Sequence, residues 1–472
     1  FRSAEMELYK HQREGLALGQ AGNRAFFYEC GTGKTLLALE LIRYWKAQGD
    51  GPALVVCPLS IIESAWMADC RKFRSELSIT SLWAKTTAER RERLRQIADI
   101  YIINFEGLRL LYPEIAGKQC GTIIVDESSK MKNPKSQVAK ALLSLAGVPF
   151  HGSPFKTSHV IPHRYVLSGT PSPNGEEGYW SQVKFVTGPG HRVFHDNYFA
   201  FRSTYFYGVP IGTTGQTIWK FRAAMRDQFQ AAMRPVTHVV RKVDCLDLPE
   251  QTHVIRTVYL SPAERTAYDT FKRSLVLRFG DEMLLGQTAL TECMKLRQLA
   301  SGFGYSQSGA TIQTGHSKLD ELEDLLEEIG PRQVILWANF KAEIEQLLKA
   351  LPDAVALWSG SRDREGTIAA FRNGRAQYLI ANPQSAGHGL TFTNCCYAVY
   401  FSLSYSYELM KQSQDRIHRI GQRHPCTYFY LLAENTIDSV IYQAVSRKAD
   451  LSNATLQYLK GGSRASRQAV AV

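Results

Sequence analysis

Two short stretches of the sequence hold residues whose types and spacing suit phosphate chemistry. The first, ECGTGKT from Glu29 to Thr35, follows an apolar run and precedes residues with helical spacing. Gly31 and Gly33 allow backbone N–H groups to turn inward, so the loop and the helix N-terminus can hold phosphate oxygens. Lys34 would neutralise the outer phosphates, and Thr35 would offer a hydroxyl to Mg²⁺. The predicted nucleotide contacts of this loop are Gly31, Thr32, Gly33, Lys34 and Thr35.

The second stretch, IIVDESS from Ile123 to Ser129, reads as a short buried strand that ends in two acids. Adjacent carboxylates are costly there unless they hold a metal and a water. Asp126 would complete the Mg²⁺ shell, and Glu127 would orient or deprotonate the attacking water. Alone, such a pair is more often the solvated start of a loop. The phosphate loop makes the metal interpretation the better one, although Tyr28 replaces the first glycine of the strict loop pattern.

Length, composition and charge restrict the class of protein. A chain of 472 residues is too long for one compact core and suggests roughly three units. Its 44% hydrophobic and 21% charged residues are typical of globular proteins. No apolar run approaches the ~20 residues of a membrane span. The formal charge of +12 weakly favours an anionic polymer as partner.

Two further features bear on where the protein works. The nine cysteines are scattered without a Cys-x-x-Cys pair, which fits a reducing interior. The N-terminus lacks the apolar core of a signal peptide and begins with Phe1, so we expect an upstream piece to be missing. We therefore expect a cytoplasmic protein that does not bind a membrane.

Strands and helices alternate in the first part of the chain. Apolar runs predict strands at Ala25–Tyr28, Ala53–Cys57, Ile100–Phe105, Ile123–Val125 and Arg164–Leu167. Such alternation indicates a parallel sheet with ligands at the carboxyl ends of its strands. Both chemical stretches follow predicted strands, so the sheet would bring them to one edge.

The middle of the chain is rich in aromatic and basic residues. A loop is predicted between Gly147 and His163, where Pro, Gly, Ser and His cluster. From Tyr179 to Val240, aromatic residues are interleaved with arginines, which could stack on bases or follow phosphates. The core of a helical insertion with a solvated basic face is the commoner outcome, and we favour it. Residues 241–250 are predicted to be a linker, followed by helix to about Ala300.

A second α/β unit follows. Further strands are predicted at Val334–Trp337, Val355–Trp358, Tyr378–Ala381, Ala398–Phe401 and Thr427–Leu432. The fold class is therefore α/β, with two parallel-sheet lobes and inserted helical protrusions. The second lobe has no phosphate loop of its own in the sequence.

The stretch QSQDRIHRIGQ, from Gln412 to Gln422, holds the most chemistry in the second lobe. Arg416 and Arg419 lie three residues apart, and we expect them on one face of a helix. Surface arginines are usually only solvated. A phosphate loop in one lobe nevertheless needs a cation for the γ-phosphate, and such an arginine is worth about 10³ to 10⁵ in rate.

Taken together, these stretches resemble the ordered motifs of a Swi/Snf-type, helicase-like ATPase of superfamily two. The resemblance runs from Leu8 to about Lys448, and HRIGQ is its most specific element. The motifs are Gln12, GTGKT, CPLS at Cys57–Ser60, DESS at Asp126–Ser129, LSGTPSPN at Leu167–Asn174, the turn Ala386–Leu390 and QSQDRIHRIGQ.

The resemblance implies two RecA-like lobes that close on ATP and Mg²⁺ and translocate along double-stranded DNA. Gln12 would contact adenine, and the segment Ser168–Thr170 would couple the lobes. Gln412, Arg416 and Arg419 would approach the triphosphate. The residues expected along the DNA backbone are Pro58, Leu59, Ser60, Lys130, Asn133, Gly360, Ser361, Ser385, Gly387 and Gly389.

The same resemblance suggests how the chain is divided. We expect an ATP-binding lobe over residues 1–185, protrusions and a linker over 186–310, a second lobe over 311–460 and a disordered basic tail over 461–472. The chain resembles stand-alone members from bacteria and phages, so the cell would be bacterial or phage-infected, with the protein at the nucleoid. A protein partner could bind the missing N-terminus or the tail. The sequence is silent on the oligomeric state.

Two motifs depart from the family pattern, and other functions stay open. Ser128-Ser129 stand where the family usually has Ala-His, and the run Ser402–Tyr407 replaces Asp-Pro-Asp-Trp-Asn-Pro. The alternatives are a strand-separating DNA or RNA helicase, an ATP-switched nucleic-acid-binding scaffold and a small-molecule kinase. A wedge hairpin would favour strand separation, and the sequence shows no signal for one.

Overall fold

The computed structural model describes residues 7–173, 175–191, 194–211, 216–279, 287–306, 309–386 and 390–459. The predicted tail 461–472 and the predicted DNA contacts Gly387 and Gly389 lie outside these ranges. None of the helices within them is both long enough and apolar enough to span a bilayer. The chain forms two compact units, the first made of the residues up to Asp247 together with those from Asp450 onward, and the second running from Leu248 to Ala449.

The first unit is organised by a sheet of seven strands. Every neighbouring pair of its strands is parallel. The strands of the unit are β1 (Arg24–Tyr28), β2 (Ala53–Cys57), β3 (Ile79–Ser81), β4 (Ile100–Asn104), β5 (Thr122–Asp126), β6 (His163–Ser168), β7 (Phe206–Ile211), β8 (Gln216–Phe221) and β9 (Thr237–Val240). The sheet order is β3-β4-β2-β5-β6-β1-β9, and β7 pairs with β8 in a separate antiparallel hairpin.

Helices cover both faces of this sheet, which explains why β2, β4 and β5 are buried along their whole length. The helices are α1 (Lys10–Ala21), α2 (Lys34–Ala47), α3 (Leu59–Ile61), α4 (Ala68–Phe73), α5 (Thr87–Arg95), α6 (Phe105–Leu110), α7 (Tyr112–Ala116), α8 (Gln137–Leu145), α9 (Tyr179–Thr187), α10 (Tyr198–Tyr205), α11 (Arg226–Met233) and α12 (Lys242–Cys245). A π-helix at Ile62–Met67 joins α3 to α4.

The stretch from Tyr179 to Val240 is only partly the helical insertion that we predicted. It contains α9, α10 and α11, but also the hairpin β7–β8 and the strand β9. Strand β9 pairs with β1 from Ala25 to Tyr28 and completes the first sheet. The first unit therefore continues to Asp247, beyond the boundary predicted at residue 185.

Part of the aromatic stretch forms core, as we favoured. The rings of Phe194 and Phe201 lie 4.7 Å apart, and those of Phe194 and Phe229 lie 5.2 Å apart. Tyr205 packs on Phe229 at 5.4 Å. These four side chains belong to the same buried cluster as one face of the sheet, so the insertion is anchored to the first unit by aromatic packing.

The second unit is built on a sheet of six strands, again with only parallel pairs. Its order is β10-β17-β16-β13-β15-β14. The strands of the unit are β10 (Gln251–Val258), β11 (Phe303–Tyr305), β12 (Thr311–Gln313), β13 (Val334–Trp337), β14 (Ala354–Leu357), β15 (Tyr378–Ala381), β16 (Tyr397–Tyr400) and β17 (Cys426–Ala433). Strands β11 and β12 form an antiparallel hairpin of their own.

Strand β10 was not predicted, and it moves the start of the second unit to Leu248. It pairs with β17 over eight residues, from Gln251 to Val258. It could not be predicted from the sequence because β10 is an edge strand that is largely exposed and has no apolar run. The helices of the unit are α13 (Pro262–Phe279), α14 (Gln287–Ala300), α15 (Ser317–Ile329), α16 (Lys341–Ala350), α17 (Arg364–Arg372), α18 (Tyr407–Gln414) and α19 (Ile437–Leu459).

Candidate active site

The predicted phosphate loop runs from the end of β1 to the start of α2. Gly31 and Gly33 adopt φ angles of 87° and 82°, in the left-handed region that favours glycine. A Cβ on Gly33 would lie 2.3 Å from Nε2 of Gln12, so a larger residue there would have to displace the Gln12 amide. The buried Thr32 hydroxyl donates to the Glu29 carbonyl at 2.8 Å. The loop is thus a tight turn that delivers the chain to a helix N-terminus.

Helix α1 holds this loop from the side. The His11 ring donates from Nε2 to the Thr32 carbonyl at 2.8 Å, and Gln12 donates from Nε2 to the Gly33 carbonyl at 3.1 Å. The Oε1 atom of Gln12 accepts from the Tyr9 backbone N–H at 2.9 Å. The side chain predicted to read adenine therefore also fixes the loop, and both ends of its amide are engaged by protein atoms.

A cavity of about 690 Å³ opens beside α1 and the end of β9. Tyr9, His11, His238 and Cys245 are among its lining residues. Tyr9 is 48% exposed, and its ring stacks on the His11 ring at 5.8 Å with an interplanar angle of 8°. An aromatic wall of this kind next to the phosphate loop suits a planar base.

Asp126 lies at the end of β5 with its carboxylate held on two sides. Its Oδ2 accepts from the Trp66 indole N–H at 2.9 Å, and its Oδ1 accepts from the Glu127 backbone N–H at 2.9 Å. Burial raises the pKa of Asp126, while the charge of Lys34 and these two donors oppose the rise. The Lys34 ammonium also donates to the Tyr28 carbonyl at 2.9 Å. The charges of Lys34 and Asp126 therefore interact at this end of the sheet.

Trp66 is the residue at this site that sequence reasoning missed. It sits in the π-helix Ile62–Met67 and is fully buried. A π-turn inside a helix is rare and often marks a functional position. Here the π-turn carries Trp66, which among the described residues is the only tryptophan whose indole N–H donates to Asp126. The π-turn could not be read from the sequence.

Glu127 turns the chain sharply at the end of β5. Its φ of 53° and ψ of 51° place a non-glycine residue in the left-handed region, at a cost of about 1–3 kcal/mol. Glu127 is 8% exposed and leads directly into the turn Ser128–Met131. Such strain is found where the direction of a side chain matters, which fits the role predicted for Glu127.

The serine that replaces the alanine of the family pattern makes a buried contact. The Ser128 hydroxyl donates to Oε1 of Gln182 at 2.6 Å. From its Nε2, Gln182 donates to the carbonyls of Pro171 and Gly178 at 2.7 and 2.9 Å. Gln182 lies on α9 and is fully buried. This bridge connects the turn after Glu127 to the LSGTPSPN stretch.

The segment Ser168–Thr170 lies against the base of the phosphate loop. A Cβ on Gly169 would be 3.2 Å from the Cys30 backbone nitrogen and 3.4 Å from the Tyr28 carbonyl oxygen. The Thr170 backbone N–H donates to the Ser168 hydroxyl at 3.2 Å, which closes the turn. The first unit therefore brings the loop, the two acids and this turn together at the carboxyl edge of its sheet.

The arginines of the second unit converge, but not on a helix face. Helix α18 ends at Gln414, so the prediction of one helical face is wrong for Arg416 and Arg419. Beyond this point the Gln414 carbonyl accepts from the His418 N–H at 3.3 Å and also from the Tyr428 hydroxyl at 2.9 Å, and the Arg416 carbonyl accepts from the Phe392 N–H at 2.9 Å. From Nη1, the two arginines donate to the Leu390 carbonyl at 3.0 and 3.3 Å.

Gln412 lies near the end of α18 and is 2% exposed. Neither its amide oxygen nor its amide nitrogen has a hydrogen-bond partner among the described residues. A buried amide without hydrogen-bond partners lowers the stability of the fold, so a functional role would explain why a glutamine stands at this position. The prediction that Gln412 binds nucleotide supplies one.

The predicted DNA contacts differ in how accessible they are. In the first unit, Leu59 is 44% exposed, Ser60, Lys130 and Asn133 are exposed, and Pro58 is buried. In the second unit, Gly360 is exposed and Ser385 is half-buried. The Ser361 hydroxyl donates to the Ala356 carbonyl at 2.8 Å and accepts from the Trp358 N–H at 2.9 Å, so it holds a turn.

Comparison with known families decides what this arrangement belongs to. Residues 11–302 match the model of the SNF2-related domain, and residues 317–421 match the helicase conserved C-terminal domain. The chain belongs to the SNF2-related family. With both domains present, this SNF2-related protein is a helicase-like ATP hydrolase.

Several individual proteins are similar to the SNF2-related chain. It is 28% identical to protein p41 of Acyrthosiphon pisum secondary endosymbiont phage 1, over 91% of this chain and 92% of that protein. It is 24% identical to an uncharacterized ATP-dependent helicase of Mycoplasma pneumoniae, over 91% of this chain but 40% of that protein. The Sulfolobus solfataricus SWI2/SNF2 ATPase core in complex with double-stranded DNA is 18% identical, with 97% of this chain and 98% of that chain covered and a TM-score of 0.43.

The residues of the SNF2-related site fit a divalent cation. Thr35 at the start of α2 and Asp126 at the end of β5 supply a hydroxyl and a carboxylate, the oxygen ligands that Mg²⁺ prefers. The two N–H donors on Asp126 favour its ionised, metal-binding form. The donor set therefore suits Mg²⁺ bound together with a nucleotide.

Proposed function

We propose that this SNF2-related ATPase translocates along double-stranded DNA and thereby remodels DNA or protein–DNA complexes. The observation that carries the proposal is the constellation at the edge of the first sheet. The phosphate loop, the buried Asp126 held by Trp66, and the strained Glu127 all belong to one compact unit. This arrangement suits phosphoryl transfer from ATP to water.

In the proposed reaction, backbone N–H groups of the loop and the Lys34 ammonium hold the phosphates of ATP. Thr35 and Asp126 would bind Mg²⁺, which neutralises charge on the phosphates when present. Glu127 orients the attacking water and accepts its proton. Gln12 and the cavity beside Tyr9 receive the adenine base.

We propose that the second unit adds positive charge to that of Lys34 at the triphosphate. Arg416 and Arg419 already share one backbone acceptor, the Leu390 carbonyl. Exchanging that acceptor for γ-phosphate oxygens would place two positive charges on the developing transition state. Gln412, whose amide has no partner within the described residues, would bind the triphosphate beside them.

DNA is the proposed partner because the exposed residues among the predicted contacts suit binding to the sugar-phosphate backbone of DNA. Leu59, Ser60, Lys130 and Asn133 are exposed on the first unit, and Gly360 is exposed on the second. Small residues, backbone amides and lysines bind phosphates without reading sequence. The formal charge of +12 favours the same partner. We also propose that the segment Ser168–Thr170 couples the two lobes. A protein partner would bind at either end of the chain. The protein would work at the nucleoid of a bacterial or phage-infected cell.

Steady-state ATP hydrolysis tests the proposal when it is titrated separately with duplex DNA, single-stranded DNA and duplex RNA. Salt must be held fixed because phosphate contacts make each affinity salt-dependent. We expect strong stimulation by duplex DNA alone. Stimulation mainly by single strands or RNA would instead support a strand-separating helicase. Absence of turnover with every nucleic acid would support the scaffold in which ATP acts only as a switch.

A further inference from the structure

The hairpin β7–β8 extends from the aromatic core of the first unit. Its base is packed, since Phe206 is 3% exposed and the Phe206 and Phe221 rings lie 5.3 Å apart. The backbone there is also tied to α10, because the Arg222 N–H donates to the Tyr205 carbonyl at 2.8 Å. The hairpin is thus firmly mounted where it leaves the core.

One face of the two strands is apolar and open to solvent. Tyr207 stands opposite Lys220, and Val209 stands opposite Ile218, so these four side chains share a face. Tyr207 is 43% exposed and Ile218 is 47% exposed. Exposed aromatic and aliphatic side chains arranged together mark an interaction surface more often than single ones do.

The cations around this face make it suited to a polyanion. The Arg222 guanidinium lies 5.9 Å from the Tyr207 ring centroid, and the exposed Lys220 stands directly opposite Tyr207. On the other side of the hairpin, Arg202 stacks on Trp219 at 4.1 Å. Between Tyr198 and Arg222 the sequence has three basic residues and no acidic one. A protein partner would have to be acidic, whereas nucleic acid matches both the charge and the aromatic surface.

We propose that this hairpin face, defined by Tyr207, Val209, Ile218 and Lys220, binds the junction between paired and unpaired DNA. In a continuous duplex the faces of the bases are covered by stacking, so an aromatic side chain finds none to contact. At a junction the last base pair and the first unpaired base expose their faces. Tyr207 and Ile218 would cover one of these, while Lys220 binds a neighbouring phosphate.

The inference deepens the proposed function, since it rests on DNA binding and names the DNA structure that is preferred. It also bears on the strand-separating alternative. The sequence shows no signal for a wedge hairpin, because residues 212–215 contain neither an Asn-Gly nor an Asp-Gly pair. The structure shows a hairpin with the surface that such a role requires.

The test measures binding of the full chain to two labelled DNAs by fluorescence anisotropy at fixed salt. One is a dumbbell duplex whose two ends are closed by non-nucleotide caps that cover the terminal base pairs, so that it has no unpaired bases. The other is the same capped duplex with a central fork of unpaired bases. We expect the wild type to bind the fork about five-fold more tightly or better, since one base stacked on an aromatic side chain is worth roughly that much. Tyr207→Ala combined with Ile218→Ala should remove this preference and leave dumbbell affinity within about two-fold.

Three matched variants keep the result interpretable. Tyr305→Ala with Ile312→Ala changes two exposed residues, 44% and 51% accessible, on the hairpin β11–β12, and should keep the fork preference. Tyr207→Phe retains the ring and should also keep it. Lys220→Ala should lower the slope of log affinity against log salt by about one on the fork.

Several outcomes would overturn the inference. They are equal wild-type affinity for both DNAs, an unchanged preference in the Tyr207→Ala/Ile218→Ala variant, and an equal loss on both DNAs. The proposed function is read separately, from stimulation of the wild-type ATPase by the dumbbell duplex. Stimulation without fork preference would leave the translocase proposal standing and remove the junction site alone.

Discussion

At the scale of single residues, the orientation of one carboxylate depends on an indole far away in the sequence. Trp66 and Asp126 are 60 residues apart along the chain, yet their side chains are 2.9 Å apart. The hydrogen bond involves an ionisable acceptor in a buried site, so it is worth more than a neutral one. Trp66 is therefore a positioning residue for the carboxylate expected to bind Mg²⁺.

Trp66→Phe should weaken the use of Mg²⁺ while keeping an aromatic ring in place. Loss of a hydrogen bond to a charged group corresponds to roughly ten-fold or more in affinity. We therefore expect the Mg²⁺ concentration for half-maximal ATP hydrolysis to rise by about that factor. The measurement is ATPase rate against Mg²⁺ at saturating ATP.

Trp180→Phe is the matched control. Trp180 is also fully buried, and its indole N–H donates to the His195 carbonyl at 2.9 Å rather than to either acid. This change should lower stability to a similar degree without moving the Mg²⁺ midpoint. Equal midpoints in Trp66→Phe and wild type would show that the indole does not position Asp126.

At the scale of elements, helix α9 joins two loops that the family pattern treats as separate motifs. The Gln182 side chain accepts a hydrogen bond from the Ser128 hydroxyl and donates one to the Pro171 carbonyl. Since Ser128 replaces an alanine of the pattern, the bridge supplies a contact that alanine could not make. A movement of the turn after Glu127 would then be transmitted to the segment that begins at Ser168.

Gln182→Leu should be destabilising on its own, because it leaves the Ser128 hydroxyl and two carbonyls without their buried partner. We expect a loss of about 1–3 kcal/mol in the free energy of unfolding. Adding Ser128→Ala should recover part of that loss, since one stranded group is then removed. A double-mutant cycle by denaturant titration measures the coupling. Strictly additive effects would mean that the hydrogen bond between the two side chains contributes nothing.

The strands show how far the sequence could predict the elements. Ala53–Cys57, Val334–Trp337 and Tyr378–Ala381 were predicted with the bounds that the structure has, because buried parallel strands are uninterrupted apolar runs. Strands β9 and β10 were missed because they lie at sheet edges, where one side has no partner strand and the pattern is weaker. Pairing over long sequence distances defines them, and no local pattern records it.

The site was predictable to a similar extent. Lys34, Asp126 and Glu127 were found because each follows a strand in a recognisable short pattern. Trp66 and Gln182 were not, since a tryptophan or glutamine on a helix carries no sign of its distant partner. The end of α18 at Gln414 was also missed. The carbonyls of Gln414 and Arg416 accept hydrogen bonds from Tyr428 and Phe392, and no local pattern in the sequence shows such distant contacts.

At the scale of the whole molecule, the two units hold different parts of the proposed machinery. The phosphate loop and both acids belong to the first unit, and the paired arginines belong to the second. Lys34→Ala and Arg419→Ala should therefore each reduce ATP hydrolysis by about 10³-fold or more. Neither should change duplex binding by more than about two-fold, since neither is among the predicted DNA contacts.

Arg423→Ala controls for loss of positive charge near the same turn. Arg423 is exposed and lies four residues after Arg419, so its removal should leave turnover close to that of wild type. Rates and DNA affinities are compared for all three variants in one buffer. Near-normal hydrolysis by Arg419→Ala would mean that Arg419 does not contribute to the reaction.

Triplex displacement tests translocation along double-stranded DNA itself, because it detects movement along a duplex rather than ATP hydrolysis alone. A labelled third strand is annealed to one end of a long duplex, and its release is followed after ATP is added. The account predicts ATP-dependent release by the wild type, a delay that lengthens with distance, and no release by Glu127→Gln. Duplex-stimulated hydrolysis without any release of the third strand would contradict translocation.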